Sequence, residues 1–178
     1  MPYPVRLVDY NPEWSALFKK EKDLIMNVVC IKNIVVEHIG STSIPGIKAK
    51  STIDILVGVQ TLEEAMKIIP DLEKIGYEYF PEYEERIPER RYLSKGEKGK
   101  RSHHLHMFDI KSDLWKEHLL FREYLRKNKE KTKEYEKLKV NLAKKYHSNK
   151  EEYTRAKGPF IEKMIREART QISYNNKF

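Results

Sequence analysis

Two neighbouring stretches decide how this chain reads: Glu37-His38-Ile39-Gly40-Ser41-Thr42-Ser43-Ile44-Pro45-Gly46, and then Thr52-Ile53-Asp54-Ile55-Leu56-Val57-Gly58-Val59. Residues 33–39 are rich in β-branched side chains and predict a strand. The Gly-, Ser- and Pro-containing segment 40–46 ends it. The second stretch is a mostly apolar strand with one acid. Gly40 lets the backbone approach a ligand closely, and Ser41, Thr42 and Ser43 supply hydroxyls and N–H groups. A helical turn opening there would aim those N–H groups at a phosphate. Asp54, in an otherwise apolar strand, needs a partner, and a bound cation or a base would serve. Alternation puts Thr52, Asp54 and Leu56 on one face and Ile53, Ile55 and Val57 on the other. A Gly-Ser-Thr-Ser turn alone is often only a helix cap. Its combination with a downstream strand Asp points to a ligand.

Upstream, Asn11 and Pro12 read as the start of a helix carrying Trp14, Leu17, Phe18, Leu24, Ile25, Val28 and Val29 at helical spacing. Cys30 falls on its apolar side and reads as a small buried hydrophobe. Downstream, Thr61 and Glu64 form a capping box, Pro70 should kink or divide the second helix, and Gly76 suits its end. Residues 77–80 read as a short strand and 81–89 as a loop. Residues 90–94 and 102–110 read as an antiparallel pair. From Ser112 onward the pattern is helical, with Ser148 and Glu151 as a further capping box and Gly158-Pro159 as a bend. The order predicts an α+β fold: a mixed sheet with flanking helices in residues 1–110, and a helical C-terminal part, 111–178, packed as one unit.

The chain has 178 residues, 39% hydrophobic and 35% charged, with one Cys. That is enough apolar sequence for a core, excludes an intramolecular disulfide, and contains no run able to span a bilayer. No signal-peptide pattern opens it, so a cytoplasmic protein without a membrane partner is expected. Residues 1–110 carry 16 basic and 17 acidic side chains; residues 111–178 carry 19 and 10. The basic C-terminal third would attract a polyanion or serve as a solvated helical surface.

The pairing of Ile39-Gly40-Ser41 with Asp54-Ile55 resembles the nucleotidyltransferase superfamily of the DNA polymerase β type. The whole chain resembles one branch of it, the GrpB family. That resemblance rests on Tyr10-Asn11-Pro12-Glu13-Trp14, Glu37 through Gly46, Ala49-Lys50, Ile53 through Val57, Arg101-Ser102-His103-His104-Leu105-His106, Phe121 through Arg126, and Tyr153 through Phe160. It implies a nucleotidyltransferase fold and a metal-dependent transfer of a nucleotidyl group from a nucleoside triphosphate to an acceptor it does not identify. Gly40, Ser41 and Thr42 would hold the triphosphate, with Lys50, Arg91 and Arg101 offsetting its charge. Asp54 would coordinate Mg²⁺, or Mn²⁺ in its place.

One departure stands out. The superfamily's second acid corresponds to Leu56. Glu37, which shares a strand face with Val35 and Ile39, is the compensating carboxylate, catalytic with Asp54. His104 and His106, two apart on a strand, complete the candidate metal set. Arg90 and Arg91 alternate faces, so at most one reaches the site. With Leu56 in place, the alternative is a non-catalytic module that binds a nucleotide or another phosphorylated small molecule. Nucleic acid is a third, less favoured partner: Tyr124, Tyr135, Tyr146 and Tyr153 recur at helical spacing, which core packing explains more economically than base stacking.

Overall fold

The computed structural model describes residues 4–175, which form two compact units. The first unit comprises Asn11–Ser43 and Ser51–Lys116. It contains helix α1 (Glu13–Val28), strands β1 (Val35–Ile39) and β2 (Ile53–Val59), helix α2 (Leu62–Lys74), and strands β3 (Tyr77–Tyr79), β4 (Arg91–Lys95) and β5 (His103–Asp109). The strands form one mixed sheet in the order β1-β2-β5-β4-β3, in which only β2 and β5 run parallel. The α+β class, the mixed sheet and the flanking helices are as expected.

The register sorts the side chains onto two faces. His38, Ile53, Ile55, His103, Leu105, Arg91, Leu93, Lys95 and Tyr77 share one face, against which α1 and α2 pack. Phe18 stacks on His38 at 4.7 Å, and Ile25 and Leu72 are fully buried. Glu21 of α1 is buried here as well, bonded to Lys95 at 2.8 Å and 3.8 Å from His103. Burial holds the His103 imidazole below its ordinary range, an effect Glu21 opposes. Glu21 was invisible in the apolar pattern. Conversely, Leu17 and Leu24 are exposed, and Cys30 lies exposed beyond the end of α1. The periodicity overcounted that helix's core face. The Asn11 side chain does accept from the Glu13 N–H, at 2.9 Å. Thr61 caps α2 through the Glu64 N–H, and α2 continues as one helix through Pro70.

Gly58 is where β2 admits a helix. A Cβ there would lie 2.4 Å from Ile110 Cγ2 and 2.8 Å from Trp115 Cη2. Gly58→Ala is expected to destabilise the chain by about 1–3 kcal/mol, the usual cost of overpacking a filled core, measured by urea unfolding.

Of the described residues, the second unit comprises 4–10, Ile44–Lys50 and 117–175. Its helices are the main part of α3 (Asp113–Lys127), α4 (Lys129–Lys145), α5 (Lys150–Arg155) and α6 (Gly158–Asn175). Asn149 caps α5 through the Glu152 N–H at 3.0 Å, in place of the expected Ser148. Gly158-Pro159 opens a new helix and does not bend an existing one. Ile44 and Ile47 bury themselves with Leu125, Tyr135 and Met164, and Val8 bridges Ala49. Of the four tyrosines at helical spacing, Tyr135 and Tyr153 are buried in the core, while Tyr124 and Tyr146 are half-buried. Lys139 is buried too, only 1% exposed, with its ammonium donating to the Lys48 carbonyl and lying 4.9 Å from the Tyr135 ring centroid. Among the described residues no helix is long and apolar enough to cross a membrane.

Candidate functional site

The sheet face opposite α1 and α2 holds most of the candidate residues. The register aligns Ile39 with Asp54 and Asp54 with His104, then Glu37 with Leu56, Leu56 with His106, and His106 with Tyr92. Glu37, Asp54, His104 and His106 therefore share one face of the sheet, with the within-strand alternation as expected and the cross-strand alignment set by the register.

Gly40 ends β1 with φ +70°, and Ser41–Ser43 form one 3-10 turn. The turn is held by the Ser43 hydroxyl, which donates to the Gly40 carbonyl at 2.7 Å. The Asp54 carboxylate sits directly against Gly40: a Cβ at that glycine would lie 2.2 Å from Asp54 Oδ2 and 2.9 Å from Asp54 Cβ. The turn and the strand acid thus meet. Gly40→Ala is expected to cost at least about 1–2 kcal/mol from the left-handed backbone alone, and to displace Asp54 as well. A thermal melt checks this; an unchanged midpoint would contradict it.

Asp54 Oδ1 lies 3.0 Å from His104 Nδ1. With the carboxylate ionised, Nδ1 carries the proton and donates, leaving Nε2 as the acceptor. His104 is 8% exposed, and its Nε2 has no hydrogen-bond partner among the described residues. The Tyr92 ring packs on both imidazoles, at 5.8 Å from His104 and 5.2 Å from His106. Burial, and next the charge of Asp54, push the Tyr92 hydroxyl well above its ordinary range.

The remaining expected residues divide. Arg101 lies over the Phe80 ring at 5.3 Å and pairs with Glu78 at 2.5 Å. Arg91 is corrected: in register with Met107, it faces the helices and pairs with Glu84 at 3.0 Å. Arg90 instead lies over Tyr92, with Cζ 5.3 Å from that ring's centroid. Thr42 does not turn its hydroxyl to Asp54, since that group bonds His38 Nε2 at 3.0 Å. Lys50 belongs to the helical unit, where its ammonium lies 5.9 Å from the Tyr153 ring centroid.

The expected four-residue metal set is also corrected. Among the described residues no group of three or more His, Cys, Asp or Glu is arranged to hold a metal ion. The register explains why. Leu56, fully buried, stands between Glu37 and His106, which lie two strands apart, or about 10 Å. The donors that remain together, one carboxylate and one imidazole, do not make a two-cation centre. The carboxylate alone would suit one Mg²⁺ that also took phosphate oxygens and water, since Mg²⁺ favours oxygen ligands.

Sequence reasoning did not single out Tyr92 or Tyr83, and named Arg90 only as the alternative to Arg91. Tyr92 could have been found from the alternation of 90–94 once that strand was paired with 102–110. Tyr83, on a one-turn helix in the 81–89 loop, left no periodic signal.

The GrpB family pattern, described as "GrpB protein", matches residues 4–167. Glutamate-rich protein GrpB of Alkalihalophilus pseudofirmus is 36% identical over 92% of this chain and 95% of its own length. UPF0157 protein YqkA of Bacillus subtilis is 38% identical over 89% of this chain, which spans 46% of that protein. The crystal structure of conserved protein GrpB from Enterococcus faecalis matches 94% of this chain and 99% of its own, at 36% identity and a TM-score of 0.83.

Proposed function

The chain belongs to the GrpB family, and from that premise we propose that its Gly40–Asp54 site binds the phosphate chain of a nucleoside triphosphate together with one divalent cation. The seating of the Asp54 carboxylate on Gly40 carries this reading. It joins a turn rich in N–H and hydroxyl groups to an acid held at the end of an apolar strand. Ser41 and the turn's backbone N–H groups would take phosphate oxygens. Asp54 would hold Mg²⁺ or Mn²⁺, whose chemistry is to neutralise phosphate charge.

Transfer of a nucleotidyl group is the second reading, favoured by the Asp54–His104 pair. An imidazole oriented by a carboxylate can take the proton of an acceptor hydroxyl as its oxygen bonds the α-phosphorus and pyrophosphate leaves. Leu56, in the position of a second metal carboxylate, weighs for binding without transfer. Calorimetric titration with the four ribonucleoside triphosphates, with and without Mg²⁺, tests the first reading. Absence of heat and of thermal stabilisation at millimolar nucleotide would sink it, since a ligand at a hundred times its Kd adds about 2.7 kcal/mol. Pyrophosphate release in an acceptor screen tests the second.

A further inference from the structure

We propose that Tyr83, Tyr92 and Arg90 form the docking platform for the planar base of the nucleotide, a deepening that rests on the reading of Asp54 as its phosphate end. Tyr83 is 41% exposed and meets Tyr92 edge-on at 5.1 Å. Phe80 closes the cluster, 5.9 Å from each ring. An exposed tyrosine on a rigid aromatic base offers a π-face to a second ring, and the Arg90 guanidinium over Tyr92 adds a cation to the same wall.

A second, independent observation points to a ligand. Arg90 Nε is buried and has no hydrogen-bond partner among the described residues. A buried N–H without an acceptor is costly, and a heterocycle supplies acceptors in its own plane. His104 Nε2, also buried and without a partner there, belongs to the imidazole that packs on Tyr92. That imidazole is the spacer between Tyr92 and Asp54, as a ribose is the spacer between a base and its phosphates. A planar base with ring acceptors thus satisfies both the aromatic wall and the Arg90 Nε–H. An inorganic polyphosphate offers oxygen acceptors but no planar face for the aromatic wall.

The test is calorimetric titration of the full chain, in Mg²⁺, with each ribonucleoside triphosphate and with inorganic tripolyphosphate. The preferred nucleotide is expected to bind at least about tenfold more tightly than tripolyphosphate, the scale of one base–aromatic stack. Tyr83→Ala, at an exposed position, should reduce that ratio toward one and leave tripolyphosphate affinity unchanged. Arg90→Lys should lower nucleotide affinity alone. Equal affinity of the wild type for nucleotide and tripolyphosphate would overturn the platform and leave the phosphate site standing. So would a ratio untouched by Tyr83→Ala, or an equal loss for both probes in Arg90→Lys. Failure of every probe to bind the wild type would remove the phosphate site, and the platform with it.

Discussion

Asp54→Asn is expected to abolish the Mg²⁺-dependent part of nucleotide affinity while the fold persists. The substitution keeps the side chain's shape against Gly40, and the amide oxygen can still accept from His104 Nδ1. It removes the one negative charge that this end of β2 offers a cation. The ratio of Kd without Mg²⁺ to Kd with Mg²⁺ should therefore exceed unity in the wild type and fall to unity in the variant. The melting midpoint should change little, because a charge-assisted hydrogen bond is traded for the relief of a partly desolvated carboxylate. Circular dichroism and calorimetry on both proteins decide it. An unchanged metal dependence would reject Asp54 as the cation's ligand.

Lys139→Met is expected to stabilise the protein below neutral pH and to remove a pH slope. Burial, and next the charge of Lys157, lower the Lys139 ammonium from its ordinary 10.5 to about 7, against the pull of Glu136. Between those values the unfolded chain holds a proton that the folded chain has released. Stability therefore rises with pH across that window, by up to about 1.4 kcal/mol per unit. Below it the charged ammonium is present in both states, and the folded one bears its full desolvation cost. Methionine fills a similar volume without that cost, at the loss of one hydrogen bond to the Lys48 carbonyl. Urea unfolding of both proteins from pH 6 to 10 should show the variant's advantage greatest at pH 6 and shrinking upward. A constant difference would mean that Lys139 does not titrate in this range.

What the sequence determined by itself was local and periodic. The α+β class, the five strands and the helical C-terminal third follow from alternation, helical spacing and caps, each a property of neighbours along the chain. So does the placement of Glu37 with Ile39, Asp54 with Leu56 and His104 with His106, each on one face of its own strand, because strand alternation is strict; that Glu37, Asp54, His104 and His106 share one face of the sheet came from the register. Only the tertiary structure decided which of these residues meet. The parallel pairing of β2 with β5 joins residues some fifty apart and sets Asp54 beside His104. The same pairing puts Leu56 between Glu37 and His106, and so keeps apart residues that looked like one metal set. Arg91 faces the helices because β4 adopted the register that sets it opposite Met107. Residues 44–50, contiguous with the Gly-Ser turn, bury Ile44 and Ile47 in the helical unit. The burial of Glu21 and Lys139 has the same origin: each charge is held by a partner remote in sequence, Lys95 for one and the Lys48 carbonyl for the other. Pairing of that kind depends on strand register and on which faces close on each other. Those are settled by the summed burial of the whole core, and no window of neighbouring residues contains it.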